Sequence, residues 1–216
     1  MKAAVITGYH PFDVPGFYDM FRFYAGIDVY IQHIEHFANT IPDLIDFYDA
    51  FIFYGLPGPL PGEDAPWYGG NEKEAIELML GSKKGIILLH HGLLCFYDWP
   101  VFSGMVGSGN RRHKLERVMQ NVKILDRDHP ITRGIENFNI FHEAYLFNEP
   151  IHDVNMLMAA ETEKGPVEIA WTNEYHGSRV FCLSLGHDNE TWTNPIFQRI
   201  FSNGFKWAVN SKQVGL

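Results

Sequence analysis

The chain is poor in cysteine: Cys95 and Cys182 are the only two in 216 residues. Two thiols cannot build a disulfide framework, so both are expected to be reduced, as in a cytoplasmic protein. Neither has a basic neighbour in sequence that would favour its thiolate, and neither reads as a nucleophile. Long apolar runs are missing too. No stretch approaches the roughly 18 residues a membrane helix needs. The opening Met1-Lys2-Ala3-Ala4-Val5-Ile6-Thr7-Gly8 has too short an apolar core for a signal peptide, and no small-residue cleavage site follows it. These absences predict a cytoplasmic location and no membrane partner. An excess of positive charge is absent as well: 17 Lys and Arg stand against 26 Asp and Glu, a formal net charge of −9. Nucleic acid, which requires a basic surface, is therefore not expected as a partner. No internal repeat, low-complexity tract or interdomain linker interrupts the chain. What is present is apolar and aromatic, with 46% hydrophobic and 15% aromatic residues. That is enough to bury a core, and the length suits one domain spanning residues 1–216.

Short apolar runs alternate with longer amphipathic segments in the first half. Ala3–Thr7, Asp28–Ile34, Ala50–Tyr54 and Gly85–Leu89 read as strands, the last as a buried parallel one. Phe12–Tyr24 reads as helical, and Ile41–Tyr48 as a short helix opened by Pro42. Asn71 is placed to cap a further helix, with Glu74 completing a capping box. Beyond residue 120 the strand-like segments Val122–Leu125, Met156–Ala159, Val167–Trp171 and Val180–Leu185 follow one another, and Asn194–Val209 reads as a closing helix. The pattern predicts an α/β three-layer fold, with a mostly parallel sheet, helices on both faces and an antiparallel extension.

Ligands of such sheets bind beyond the carboxyl ends of the strands, and the residues at those positions carry chemistry. Gly8-Tyr9-His10, His90-His91-Gly92 and Gly186-His187-Asp188 each follow a strand. His187 is a candidate general acid or base, since an ordinary imidazole titrates near neutral pH. Asp188 beside it either orients the ring or caps the turn. His90 and His91 sit at a strand-to-helix turn that can aim a side chain at a substrate. Glu143, between Phe141 and Tyr145, would be a proton-transfer carboxylate if buried. Asp98, Trp99, Tyr145, Trp192 and His10 are candidate substrate-binding residues, the two tryptophans as surfaces for a sugar ring. His129, restricted by Pro130, reads as structural. The sequence has no His-x-x-x-His and no Cys-x-x-Cys. A divalent metal site built from His90, His187 and Glu143 would need the fold to assemble it, and the expectation is no cofactor.

Taken in order, Gly85-Ile86-Ile87-Leu88-Leu89-His90-His91-Gly92, Asp98-Trp99-Pro100, Asp128-His129-Pro130-Ile131-Thr132-Arg133-Gly134, Glu143-Ala144-Tyr145, Leu185-Gly186-His187-Asp188 and Asn203-Gly204-Phe205-Lys206-Trp207-Ala208 resemble the trehalose-utilisation ThuA-like family. The resemblance spans about residues 84 to 208. It implies a flavodoxin-like fold akin to class I glutamine amidotransferases. In those enzymes a cysteine nucleophile occupies the turn after a central strand and a histidine follows a late strand. Here His90 stands at the first place and His187 at the second. Without a thiolate no glutaminase activity is expected. The family's link with trehalose catabolism implies an enzyme acting on an oxidised disaccharide or keto-sugar, a lyase, isomerase or hydrolase. His187 and Glu143 would move protons, and His90 and His91 would polarise the carbonyl. The alternative is a non-catalytic carbohydrate-binding or regulatory protein that uses the same crevice. A small-molecule carbohydrate is the expected partner in either case, and a homo-oligomer remains open.

Overall fold

The computed structural model describes residues 1–24, 26–59, 70–109, 117–143, 145, 153–162 and 165–209. Nine strands in these segments form one sheet: β1 (Lys2–Thr7), β2 (Asp28–His33), β3 (Ala50–Phe53), β4 (Gly85–Leu89), β5 (Arg117–Ile124), β6 (Phe138–Glu143), β7 (Asn155–Thr162), β8 (Gly165–Tyr175) and β9 (Ser178–Leu183), in the order β2-β1-β3-β4-β9-β8-β7-β5-β6. The pairings from β2 to β9 are parallel. Those from β9 to β6 are antiparallel. The antiparallel extension thus matches the parallel half in number of pairings.

Side-chain alternation along the central strands builds three layers, because successive residues face opposite sides of a sheet. Ala3, Val5, Ala50, Ile52, Ile87 and Leu89 enter one core. Ala4, Ile6, Phe51, Phe53, Ile86 and Leu88 enter the other. The first core is covered by α1 (Val14–Arg22), the short α5 (Asn189–Trp192) and α6 (Pro195–Val209), and the second by α2 (Ile34–Leu44), α3 (Glu72–Gly81) and α4 (Pro100–Val106). With both faces covered, β1, β3 and β4 are almost wholly apolar. The extension is covered mainly on one face, and β5 alternates buried with exposed residues toward its end.

Several local expectations need correction. Pro42 does not open a helix. It lies in the last turn of α2, which begins at Ile34, where the His33 ring accepts from the Glu35 N–H at 3.4 Å. Only two residues follow Pro42, so the i→i−4 bond that its missing N–H removes, to the Ala38 carbonyl, is among the last of the helix. Asn71 stands at the start of α3 without a side-chain cap. Its amide donates to the Asn39 side chain at 2.7 Å, while the Glu72 carboxylate accepts from the Gly70 N–H. Phe138–Glu143 is strand β6, a segment absent from the strands read in the sequence. Phe141 on its open face is exposed, which hides the alternation. The strand expected at Val180–Leu185 ends at Leu183. The Pro/Gly-rich loop 55–62 lies outside the described residues beyond 59.

α6 packs at close range. A Cβ on Gly204 would fall 2.1 Å from the Phe181 ring on β9. Gly204→Ala should therefore destabilise the protein by about 1–3 kcal/mol, the usual cost of overpacking. Denaturant unfolding measures this, and an unchanged midpoint would refute the close packing.

Candidate active site

Parallel pairing of β4 with β9, Leu88 beside Cys182 and Leu89 beside Leu183, places the residues that follow both strands side by side. After β4 the backbone turns sharply into a 3₁₀ helix (His90–Leu94), with His90 in the left-handed region at φ +50°. A non-glycine residue there costs on the order of 1–3 kcal/mol. After β9, Gly186 adopts φ +121°. Its carbonyl accepts from the Trp192 indole at 2.8 Å and the Tyr54 hydroxyl at 3.2 Å. The chain is thereby held so that His187 faces His90.

His90 is fully buried. Its Nδ1 lies 2.6 Å from the Ser184 carbonyl oxygen. A carbonyl only accepts, so Nδ1 carries the proton and Nε2 offers a lone pair. Three polar atoms surround that lone pair: the Tyr145 hydroxyl at 2.9 Å, His187 Nδ1 at 3.0 Å and Glu143 Oε2 at 3.5 Å. Glu143 Oε2 is in turn 3.0 Å from His187 Nδ1. Burial is the main influence on His90 and holds it below the ordinary histidine value, against the opposing pull of Glu143 and Ser184. Burial, reinforced by the Glu143 charge, raises the Tyr145 phenol, so it stays protonated and donates to Nε2. His187 is the accessible member, with its side chain 27% exposed against 9% for Glu143. His90 Nε2, Glu143 and His187 are also the described side chains able to hold a metal ion together, with ligand atoms within 4.8 Å of one another.

Glu143 comes from the last residue of β6, the outer strand of the extension, so this edge of the sheet curls back over the end of β9. Arg117, opposite Glu143 on β5, ties the two regions together. Its guanidinium pairs with Asp188 at 2.6 Å and Glu190 at 2.9 Å and lies over the Phe141 ring. Asp188 caps α5, accepting from the Thr191 N–H at 3.2 Å. Its carboxylate is thus occupied by the cap and by Arg117. His91 is buried beneath His90, its ring edge-on to His10 and Tyr54 at centroid distances of 4.1 and 4.3 Å. His10 also lies 6.4 Å from His187.

The fold therefore gathers His90, His91, His187, Glu143, Tyr145 and His10 at one end of the sheet. It does not bring the tryptophans there as open surfaces. Trp192 is buried against Phe17 and Tyr54, and Trp99 is buried in the opposite core. Asp98 is exposed on the turn before α4. Cys95 follows the 3₁₀ helix, buried, with its thiol on the Gly55 carbonyl at 3.2 Å. His129 is structural in its contacts, its ring accepting from the Ile131 N–H and lying against Trp207. Sequence reasoning missed Tyr54, Ser184 and Arg117, none of which stands in a histidine-bearing segment. It also passed over His142, which is buried beside His90 with neither ring nitrogen hydrogen-bonded. Burial holds that imidazole well below its ordinary value, with the neighbouring His90 adding to the effect.

Asp188→Ala should cost about 1–2 kcal/mol, mostly through the lost cap. Thermal unfolding would show this as a lowered midpoint. No shift would mean that the cap is dispensable.

The model of the family described as ThuA, trehalose utilisation, matches residues 27–208. Among solved structures, a ThuA-like protein from Parabacteroides merdae superposes with a TM-score of 0.72 at 16% identity, covering 97% of this chain and 90% of that one. A cytoplasmic protein from Salmonella typhimurium gives 0.67 at 11% identity, covering 96% and 99%. A glutamine amidotransferase from Thermotoga maritima gives 0.57 at 11% identity, covering 97% and 98%. At these identities the structural likeness concerns the fold, which is that of the amidotransferases. No curated protein matches the sequence. Among the described residues, no helix is long and apolar enough to cross a membrane.

Proposed function

The chain belongs to the ThuA trehalose-utilisation family, and on that premise we propose that it is a cytoplasmic enzyme of carbohydrate metabolism acting on an oxidised sugar or disaccharide by histidine and glutamate acid–base chemistry. The observation that supports this is the convergence of His90 Nε2, His187 Nδ1, Glu143 Oε2 and the Tyr145 hydroxyl around one point beyond β4 and β9. A keto-sugar has an acidic C–H next to its carbonyl. Removing that proton requires one group that accepts it and another that supports charge on the carbonyl oxygen. His187, the accessible imidazole, is the group that exchanges a proton with the substrate. Glu143 orients its ring, and His90 with Tyr145 holds the other side of the cluster. Elimination or isomerisation of the resulting enediol needs no covalent intermediate.

His187→Ala should lower turnover of a keto-disaccharide by about 10²–10⁴-fold, the range for loss of an acid–base group. NMR of a panel of oxidised and unoxidised disaccharides reads the reaction. Binding of these sugars without chemical change in the unaltered protein would replace the enzyme by a carbohydrate-binding protein.

Ammonia should not be released from glutamine. The turn that bears a cysteine in amidotransferases bears His90 here, and the Cys95 thiol is buried on the Gly55 carbonyl. Glutaminase activity that vanished in Cys95→Ala would show that the turn had been misassigned.

A further inference from the structure

We propose that His90 Nε2, His187 Nδ1 and Glu143 Oε2 form a binding site for one divalent first-row transition-metal ion. The proposal rests on the reading of this cluster as the reacting centre, and names the cofactor of that centre.

The three atoms form a triangle with sides of 3.0, 3.0 and 3.5 Å. An ion with bonds of about 2.0–2.2 Å to nitrogen and oxygen holds ligands that subtend 90–110° roughly 2.8–3.6 Å apart. All three sides fall in that range. Hydrogen bonding alone accounts for the triangle less completely. The Nδ1 proton of His90 is committed to Ser184, so the Nε2 lone pair, which accepts from the Tyr145 hydroxyl, also faces a carboxylate oxygen along the 3.5 Å side with no proton between them. A cation between them resolves that opposition. The bond to Ser184 is also the support that metal-bound histidines commonly have, a carbonyl accepting from the second ring nitrogen and fixing the tautomer.

Ligand type narrows the ion. Two imidazoles and one carboxylate suit zinc, iron(II), cobalt(II) or manganese(II), whereas calcium and magnesium prefer oxygen alone. Three protein ligands leave a position for water or a substrate oxygen, as catalytic zinc sites do. An ion there would polarise a sugar carbonyl, which would then not depend on the buried His90 and His91 for its support. It would also set the tautomer of His187. With Nδ1 bound to the ion, the ring's single proton sits on Nε2, across the ring from the cluster. His187 then meets the substrate as a proton donor, and the acceptor of the proton next to the carbonyl would be a hydroxide held at the ion's remaining position. The Tyr145 hydroxyl, 2.9 Å from His90 Nε2, would give up its bond to that nitrogen when an ion takes the lone pair.

The test uses the untagged full chain, stripped with chelator and then dialysed against Zn²⁺ or Co²⁺. Elemental analysis should find one ion per chain, and Co²⁺ should produce visible absorption bands of a low-symmetry nitrogen and oxygen site. Glu143→Gln, which keeps shape and removes charge, should weaken Zn²⁺ binding at least tenfold, and His187→Ala more. His36→Ala, at an exposed position on α2, should leave binding unchanged. Thermal unfolding of each stripped variant separates loss of a ligand from loss of fold. Absence of stoichiometric binding, or binding indifferent to both Glu143→Gln and His187→Ala, would overturn the site. Turnover of a keto-sugar by the stripped protein would also overturn the ion as cofactor while leaving the proposed function standing. Stoichiometric binding with no sugar processed would uphold the site and remove the proposed function.

Discussion

The hydrogen bond from His90 Nδ1 to the Ser184 carbonyl is the constraint on which the site depends. It joins the turn after β4 to the chain just beyond β9, at 2.6 Å and away from water. It settles which ring nitrogen carries the proton and aims the other into the cluster. The parallel pairing of β4 and β9 makes this bond available, because it sets the ends of both strands level. The left-handed backbone at His90 is offset by that pairing and by the apolar packing of the 3₁₀ turn that follows, where Leu93 is fully buried. A substitution that removed the imidazole would leave the Ser184 carbonyl buried without its partner, a cost of about 1–3 kcal/mol.

The second constraint comes from the far edge of the sheet. Glu143 reaches the cluster because β5 and β6 curl back, and Arg117 fastens that edge to the helix cap after His187 through Asp188 and Glu190. Partly exposed ion pairs contribute little to stability. Their consequence here is geometric: the residue beside His187 and the residue opposite Glu143 are tied by one guanidinium. The ends of the parallel-paired strands β4 and β9 supply two histidines, and the antiparallel extension supplies the carboxylate and the phenol.

Much of this was legible in the residues. The continuous apolar runs at β1, β3 and β4 announce strands buried on both faces, and histidines immediately after strands mark the end of the sheet where ligands bind. The resemblance to the ThuA-like family, carried by the ordered segments from residue 84 to 208, agrees with the family match over residues 27–208. Other features were hidden for identifiable reasons. Strand β6 escapes notice because exposed Phe141 breaks its alternation. Pro42 suggests a helix start by local preference, whereas the apolar face of Ile34, Phe37, Ala38 and Ile41 decides where α2 begins. Trp99 and Trp192 look like platforms for a sugar ring until the layers close over them.

The sequence by itself determined the three-layer α/β class, the absence of a disulfide framework and the clustering of histidines at strand ends, since these follow from composition and from period-two patterning. The sequence offered both Glu143 and Asp188 as carboxylates for His187, and tertiary structure decided that Glu143 is the one that reaches its ring, at 3.0 Å. Adjacent residues on an extended chain point to opposite sides, and Asp188 is drawn to the free N–H groups of α5 and to Arg117. Glu143, 44 positions earlier in the numbering, arrives because the sheet curls. Spacing along the chain carries no record of that curl, so the residue types name Glu143 as a candidate but only the paired strands bring it to the histidines.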